Sequence, residues 1–561
     1  IKFKELNEVK YPHLFEPIQI GTQTVKNRLF MPPLSTNLGD KGYVTDELVE
    51  HYKARAKGGV GLFVTEVVTV EPTYVYLPGD MSIHDDSFIE GWKKLVDGVH
   101  EYGAKILPQL FHPSYMAFPI PGTPQLIAPS HVGPYYAKEA PRPVTKEELK
   151  VIIQQFADAA LRVQKAGGDG VEVHAAHAHG LLGGFLSPLY NKRTDEYGGN
   201  IDARLKLTLE VIEAIRNACG KDFIIDVRIS GDEYSDGGLN LTDMVYVAKQ
   251  LEAHGVDMLH VSGGTTIARG SSIPAPGTPM GSHVALAAEI KKHVSIPVAT
   301  VGRIVEPWVA EEIIANGKAD ACMIGRANLC DPEFANKAKD GRIEDIRPCI
   351  GCLRCLNGIM FGKPVACTMN PSFALENEDT LQPSLMKKKI LVIGAGPAGM
   401  SAAVYAARAE LNTLMVDFGE PGGQINGTNE IQNYIGVGSI SGSALGYRMF
   451  QHTKQLKVPF QKKKVVKIEP DDPYHRVYME GEETPYLTRS VILAIGTTPK
   501  SLHVEKEDAF SRNGISWCAI CDGAQYAGKE VVVIGGGSSG VKESLFLSNI
   551  VTKLTILTNY D

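Results

Sequence analysis

Three things are missing from this sequence. No apolar run approaches the ~20 residues that a membrane-spanning helix requires, so none is expected among its 561 residues. No long basic run offsets a net charge of −7, which argues against a dedicated nucleic-acid surface. The opening stretch IKFKELNEVKYPHLF lacks the apolar core of a secretory signal, and a cytoplasmic protein is expected. Cysteines are few, nine in all, and they bunch into CxxC spacings that suit metal or redox chemistry rather than disulfide staples. What is present is ordinary for an ordered globular protein: 43% hydrophobic and 22% charged residues, in a length that allows two to four domains.

Four of the nine cysteines fall in Arg347–Pro371, RPCIGCLRCLNGIMFGKPVACTMNP. Cys349, Cys352 and Cys355 are separated by two residues each, and Cys367 follows after eleven more. Short loops can place three sulfurs on three irons while a returning chain caps the fourth, so the pattern predicts a cubane [4Fe–4S] cluster. A structural zinc ion also accepts four thiolates, but it normally draws them from two separated CxxC knuckles.

Before this segment, eight short apolar runs alternate with amphipathic stretches: Leu29–Pro33, Gly61–Val68, Ile106–Phe111, Gly170–His174, Phe223–Ser230, Met258–Gly263, Pro297–Ile304 and Ala321–Ala327. Helical patterns with apolar residues three and four apart lie between them, at Asp46–Lys57, Lys146–Ala166, Ile201–Ala218 and Asp243–His254. Strand and helix in this alternation predict a (β/α)₈ barrel, an α/β fold whose chemistry sits at the carboxyl ends of the strands. Those ends are polar. Pro33, Leu34 and Ser35 close the first run, Gln109 lies in the third, His174 ends the fourth with His177 and His179 following, and Arg228 lies in the fifth. Gly302-Arg303 and Gly325-Arg326 close the last two, a pairing that suits a phosphate, since glycine admits the backbone and arginine offers a charged fork. A single Arg or Gln at such a place is as readily a barrel-mouth salt bridge, whereas the whole set predicts a site.

The words NRLFMPPLSTN, GLFVTE, PQLFH, DGVEVHAAH, FLSPLYNKRTDEYGG, VRIS and VGRI, with the cysteine segment, carry a resemblance. Residues 10–375 resemble the old yellow enzyme family, in particular its long iron–sulfur branch of 2,4-dienoyl-CoA reductase, 2-enoate reductase and trimethylamine dehydrogenase. The resemblance implies FMN in the barrel mouth, with Pro33, Leu34, Ser35, Val67, Gln109, Arg228, Gly302, Arg303, Gly325 and Arg326 matching its contacts. Gln109 would face the pyrimidine edge, and Arg228 would sit near N1 to stabilise the reduced anionic flavin. His174 and His177 match the family's pair for the substrate's electron-withdrawing oxygen, two donors that would stabilise an enolate as hydride arrives. Many relatives carry a proton-donating tyrosine two residues after the second of these. Here that residue is His179, in a segment one residue longer than usual, so the acid is His179, Tyr115, Tyr190 or solvent. The related reductases also usually have three residues between the second and third cysteine, where this chain has two.

A polar connector, residues 376–387, leads into KKILVIGAGPAGMSAAVYAAR and a strand ending at Asp417. Gly394, Gly396 and Gly399 in a strand–turn–helix context, with an acid at the expected distance, form a dinucleotide-binding fingerprint. From there GEPGGQI, EIQNYIG, ILAIGTTPKSL, WCAICDG and VVVIGGGSSGVKESLFLSNI resemble thioredoxin reductase in order and spacing. That likeness implies FAD near Gly396, Asp417, Gln424 and Asn433, and a nicotinamide nucleotide at Gly535, Gly537 and Gly540. It also matches Cys518, Cys521 and Asp522 to a redox dithiol and its acid, since a CxxC pair can close a small disulfide and its thiolate can attack. A second metal knuckle lacks partner cysteines. The family would continue past KLTILTNYD, and Asn559, Tyr560 and Asp561 stand where arginines would read a 2′-phosphate, which tilts the expectation towards NADH over NADPH.

The expected organisation is a barrel at 1–340, a cluster segment at 341–375, a linker at 376–387, an FAD domain at 388–505 and the start of an NAD(P) domain at 506–561. The expected activity is reduction of an activated alkene in an α,β-unsaturated carbonyl or enoate, with electrons passing from NAD(P)H to FAD, to the cluster and to FMN. Two alternatives stand beside it: an amine or alcohol dehydrogenase of the trimethylamine dehydrogenase type, and electron transfer from Cys518 and Cys521 to a thioredoxin-like partner. A homo-oligomer is expected. The loops Met116–Arg142 and Thr265–Ser282, rich in Pro and Gly, would choose the substrate.

Overall fold

The computed structural model describes residues 10–558 apart from 118–121, 134–138, 266–271, 276, 360–361, 377–387, 429, 433, 435, 499–500 and 512–513. Asn433, Asn559, Tyr560, Asp561 and nearly all of the expected linker lie outside the described residues. The chain forms two compact units, Ile1–Thr380 and Leu381–Asp561.

In the first unit the eight apolar runs become strands β1 (Leu29–Met31), β2 (Leu62–Thr69), β3 (Lys105–Phe111), β4 (Gly170–His174), β5 (Ile224–Ser230), β6 (Met258–Ser262), β7 (Val298–Thr300) and β8 (Ala321–Met323). Each pairs in parallel with its neighbours, and β1 pairs with both β2 and β8, which closes the barrel. The strands read as near-continuous apolar runs because both faces are covered, one by the outer helices and one by the barrel interior. The helices begin where their caps dictate. Thr145 and Glu148 form a capping box for Lys146–Lys165, Asn240 and Asp243 do the same for Leu241–Ala253, and Thr45 and Asn200 cap Asp46–Lys57 and Ile201–Cys219.

A hairpin that the strand pattern did not announce, Ile18–Ile20 paired with Gln23–Val25, plugs the amino-terminal end of the barrel. Its Ile18, Ile20 and Val25 pack with Phe30, Leu62, Val64, Leu107, Ile224, Met258 and Met323 in an interior layer. With that end filled, ligands reach the interior from the carboxyl ends of the strands.

One irregularity re-aims a strand. Val64 pairs with Leu107 and Val67 with Gln109, so two residues of β2, Thr65 and Glu66, face one interval of β3. Strict alternation would turn Glu66 inward after Leu62 and Val64, but the bulge turns Val67 in beside Gln109.

The second unit is built on parallel strands β9 (Lys389–Ile393), β10 (Asn412–Asp417), β11 (Phe460–Lys462) and β15 (Ser490–Leu493), in the order β11-β10-β9-β15. An antiparallel sheet of β12 (Val465–Glu469), β13 (His475–Met479) and β14 (Tyr486–Thr488) lies between β11 and β15 in sequence. A second parallel pair, β16 (Glu530–Ile534) and β17 (Lys553–Leu557), flanks the helix Ser538–Leu547.

Candidate active site and cofactor sites

The barrel mouth gathers the strand-end residues that the sequence singles out. Strand register puts Gln109 beside Glu172, and His174 beside Arg228. Pro33, Leu34 and Ser35 follow β1, and the two Gly-Arg pairs follow β7 and β8. Buried Arg228 Nε, Arg326 Nη1 and His174 Nδ1 have no protein partner among the described residues. Buried donors of this kind are normally satisfied, so the row fits an anionic, hydrogen-bonding group such as FMN. Arg303 differs, since its Nη1 donates to Thr278 O at 2.8 Å.

Beneath this row lies a polar cluster with no motif of its own. Gln109 donates its amide to Glu172, whose other oxygen lies 2.7 Å from His260 Nδ1. Burial pushes the Glu172 carboxyl up, but His260 and Arg228 outweigh it and hold Glu172 below the usual carboxylate range. Burial and then Glu172 push Asp226 well above the carboxylate range, so Asp226 keeps the proton. Glu172 thus orients Gln109 while Arg228 balances its charge. Their only advance signal was inward parity with His174 and Arg228.

The histidine segment turns sharply after β4. His177 and Ala178 take φ of 64° and 45°, a left-handed pair that non-glycine residues rarely adopt. Three bonds hold it: His177 N donates to Ser230 Oγ at 2.8 Å, His177 Nδ1 lies 3.0 Å from Gly264 O, and Tyr115 OH donates to Ala178 O. The Gly264 carbonyl fixes the proton of neutral His177 on Nδ1, leaving Nε2 as an acceptor that donates only when the ring is protonated. Burial first, then Arg228, holds His177 well below the usual imidazole range. His174 is lowered by burial and then by His179, and His179 is pushed down to about 4 by burial and Arg228. The His174 and His177 rings lie 6.0 Å apart, His179 stacks on Phe111 at 5.4 Å, and Tyr76 meets His179 edge-on at 5.2 Å. Of the tyrosines considered as acids, Tyr115 gives its hydroxyl proton to Ala178 and stacks on Tyr190 at 4.8 Å.

The four motif thiols come together. Cys349, Cys352, Cys355 and Cys367 line one cavity with Arg326 and a fifth cysteine, Cys330. No three of these sulfurs lie within 4.8 Å of one another among the described residues. Tetrahedral zinc would draw its sulfurs to ~3.8 Å, given Zn–S bonds of ~2.3 Å, so the spread fits a polynuclear cluster better than a single ion. A hydrogen bond from Cys330 and backbone N–H groups pull two thiols down: Cys349, helped by Gly351, to about 6, and Cys367, helped by Met369 and Asn370, also to about 6. Arg326 lines this cavity and begins the short helix that follows β8.

In the second unit both glycine turns have the same geometry. Gly394 has φ of 109°, and a Cβ there would lie 2.1 Å from Ala494 O, while one on Gly399 would lie 1.8 Å from Gly394 O. Gly535 and Gly540 repeat this, with φ of 119° and a 1.9 Å approach. Gly396 and Gly537 stand at helix N-caps with open space around them, a placement that suits a pyrophosphate. Asp417 at the end of β10 accepts from Ala395 N and Gly419 N, which ties the acid to the turn. Gln424 Nε2 donates to Thr497 O. Cys518 is disulfide-bonded, and Ser516 Oγ donates to Asp522 Oδ2 at 2.6 Å; the side chain of Cys521 lies outside the described residues.

Comparison with known proteins agrees with both halves. Residues 13–345 match the NADH:flavin oxidoreductase / NADH oxidase family, and residues 388–561 match the pyridine nucleotide-disulphide oxidoreductase family. An NADH oxidase of Thermoanaerobacter brockii is 36% identical over 98% of this chain and 83% of its own length. A cinnamate reductase of Clostridium sporogenes is 30% identical over 98% of this chain and 83% of its own. The solved structure of a 2-naphthoyl-CoA reductase in complex with 2-naphthoyl-CoA superposes with a TM-score of 0.73 at 26% identity, over 97% of this chain and 83% of that one. The families imply FMN, FAD and NAD(P)H. No helix among the described residues is long and apolar enough to cross a membrane. The chain belongs to the NADH:flavin oxidoreductase / NADH oxidase family, in its old yellow enzyme iron–sulfur flavoprotein branch, and is an NAD(P)H-dependent flavin oxidoreductase.

Proposed function

We propose that this enzyme reduces the activated C=C bond of an α,β-unsaturated carbonyl or enoate, with electrons passing from NAD(P)H through FAD and a [4Fe–4S] cluster to FMN. In this reading residues 1–340 take FMN and substrate, 341–375 the cluster, 388–505 FAD and 506–561 the nicotinamide nucleotide. The single observation that carries it is the pair of imidazoles, His174 and His177, set 6.0 Å apart beside the row of unpartnered donors at the barrel mouth. The bound flavin supplies hydride chemistry; the residues supply charge and orientation. Arg228 holds positive charge over the ionised Glu172, Glu172 sets the Gln109 amide, and His174 presents a nitrogen without a protein partner to a substrate oxygen. His177 donates from Nε2 only after taking up a proton, which an incoming carboxylate or a developing enolate favours. Phe111, Tyr76 and His179 form an aromatic wall next to this pair. A wall of that kind suits a substrate whose alkene is conjugated to an aryl ring, and the relatives named for cinnamate and 2-naphthoyl-CoA support this class.

The test is anaerobic stopped-flow spectroscopy on iron-reconstituted enzyme, adding NADH and then cinnamate, crotonyl-CoA or a cyclic enone. NADH should bleach flavin and cluster absorbance, and an aryl-conjugated alkene should restore it. Restoration by oxidised thioredoxin and by none of the alkenes would transfer the function to Cys518 and Cys521.

A further inference from the structure

Cys330 is not part of the cysteine motif; in sequence it belongs to the barrel, nineteen residues ahead of Cys349, where the CxxC pattern begins. The fold brings it to the thiol cavity. It ends the short helix Arg326–Cys330 that follows β8, and its neighbours on both sides are tied to the cysteine segment. Asn370 Nδ2 donates to Leu329 O at 3.0 Å, and Arg347 N donates to Asp331 Oδ2 at 3.0 Å. Arg347 Nη1 then bonds Asn370 Oδ1 at 3.1 Å. Cys330 is only 3% exposed, lies 3.4 Å from Cys367 Sγ, and shares its cavity with Cys349.

We propose that Cys330 is a positioning residue of this site: it stays outside the metal shell as a thiol and donates S–H to the ligand sulfur of Cys367, raising the reduction potential of the cluster. This rests on the reading that the four motif thiols hold a [4Fe–4S] cluster. The four motif cysteines already match the four irons one to one. A fifth thiolate would add a buried negative charge beside four others, so the proton stays on the sulfur with no solvent contact. Hydrogen bonds to cluster sulfurs withdraw negative charge and favour the reduced state.

The experiment is an EPR-monitored redox titration of iron-loaded wild type, Cys330→Ala and Cys330→Ser, with iron per chain measured first. Cys330→Ala should keep its iron while the ratio of reduced to oxidised cluster at a fixed potential falls three- to tenfold, tenfold being about 59 mV for one electron. Cys330→Ser, which still has a hydroxyl to donate, should fall less. Pulsed EPR of the reduced cluster in D₂O should show an exchangeable deuteron coupling in wild type that Cys330→Ala lacks. Should Cys330→Ala fail to hold iron, the Cys330→Ser titration and its deuteron coupling decide. Unchanged potential and unchanged couplings overturn the donor role. So does a Cys367→Ala enzyme that keeps four irons and loses them in the double variant with Cys330→Ala, since Cys330 would then be a ligand. Wild type that binds no iron under reconstitution overturns the cluster reading itself, and this inference with it.

Discussion

Replacing Glu66 by Gln should stabilise the barrel at alkaline pH, with a gain that shrinks to ~1 kcal/mol or less near pH 5. Glu66 is fully buried at the β2 bulge, where Oε2 accepts from Thr36 N at 2.6 Å and Oε1 from Thr36 Oγ1 at 2.8 Å. Burial is the largest influence and pushes its carboxyl up to about 7, against the bonds from Thr36 and Asn37 that lower it. Its buried neighbour Asp80 is pushed well above the carboxylate range as well, by burial and then by Glu66. Because the folded value lies above the unfolded value of 4.5, the folded state holds a proton that the unfolded chain has released. The stability this contributes is complete below pH 4.5 and is lost as pH rises through about 7. At ~1.36 kcal/mol per pH unit the loss amounts to ~3 kcal/mol. Glutamine keeps an acceptor for Thr36 N and offers an N–H to Thr36 Oγ1, and it never titrates. Scanning calorimetry of FMN-loaded wild type and Glu66→Gln from pH 5 to pH 8.5 should therefore show the barrel transitions diverging until the variant leads by ~4 °C, taking ~2 cal/mol/K per residue over the first unit. Parallel profiles, or a variant less stable at pH 8, would show that Thr36 and Asn37 hold the carboxylate ionised and would refute the reasoning.

Two further outcomes follow from the site geometry. Because Gly264 takes the Nδ1 proton of neutral His177, whose imidazole is held well below its usual range, binding of a carboxylate should draw a proton from solvent, and the Kd for cinnamate should rise with pH by up to about tenfold per unit until pH reaches the raised imidazole value of the complex. An uncharged enone should show a much shallower slope in the same flavin-absorbance titration; equal slopes would remove His177 from the anion's surroundings. Gly394→Ala puts a Cβ 2.1 Å from Ala494 O at a φ of 109°, so purified protein should fall from equal FMN and FAD towards FMN alone, by acid extraction and chromatography. Full FAD occupancy would show that this turn is not where the dinucleotide sits.

Much of this enzyme is written in local pattern. Eight apolar runs with helical intervals determined the barrel, and the capping residues Thr45, Thr145, Asn200 and Asn240 fixed where four of its helices start, because strand burial and helix capping are properties of neighbouring residues. The cysteine spacing and both glycine fingerprints were equally legible, since a motif that wraps one ligand must be short. What depends on residues far apart in sequence had no such signal. The β2 bulge, which turns Val67 inward and buries Glu66, follows from how β2 meets β3. The Glu172–Asp226–His260 cluster joins three strands, and its charge state is set by their mutual burial. The tautomer of His177 is decided by a carbonyl 87 residues away. Cys330 looked like a barrel cysteine until the helix after β8 carried it to 3.4 Å from Cys367. The sequence by itself determined which cofactor-binding motifs the chain carries; tertiary structure alone decided where their protons and charges rest, because those depend on which groups are buried together.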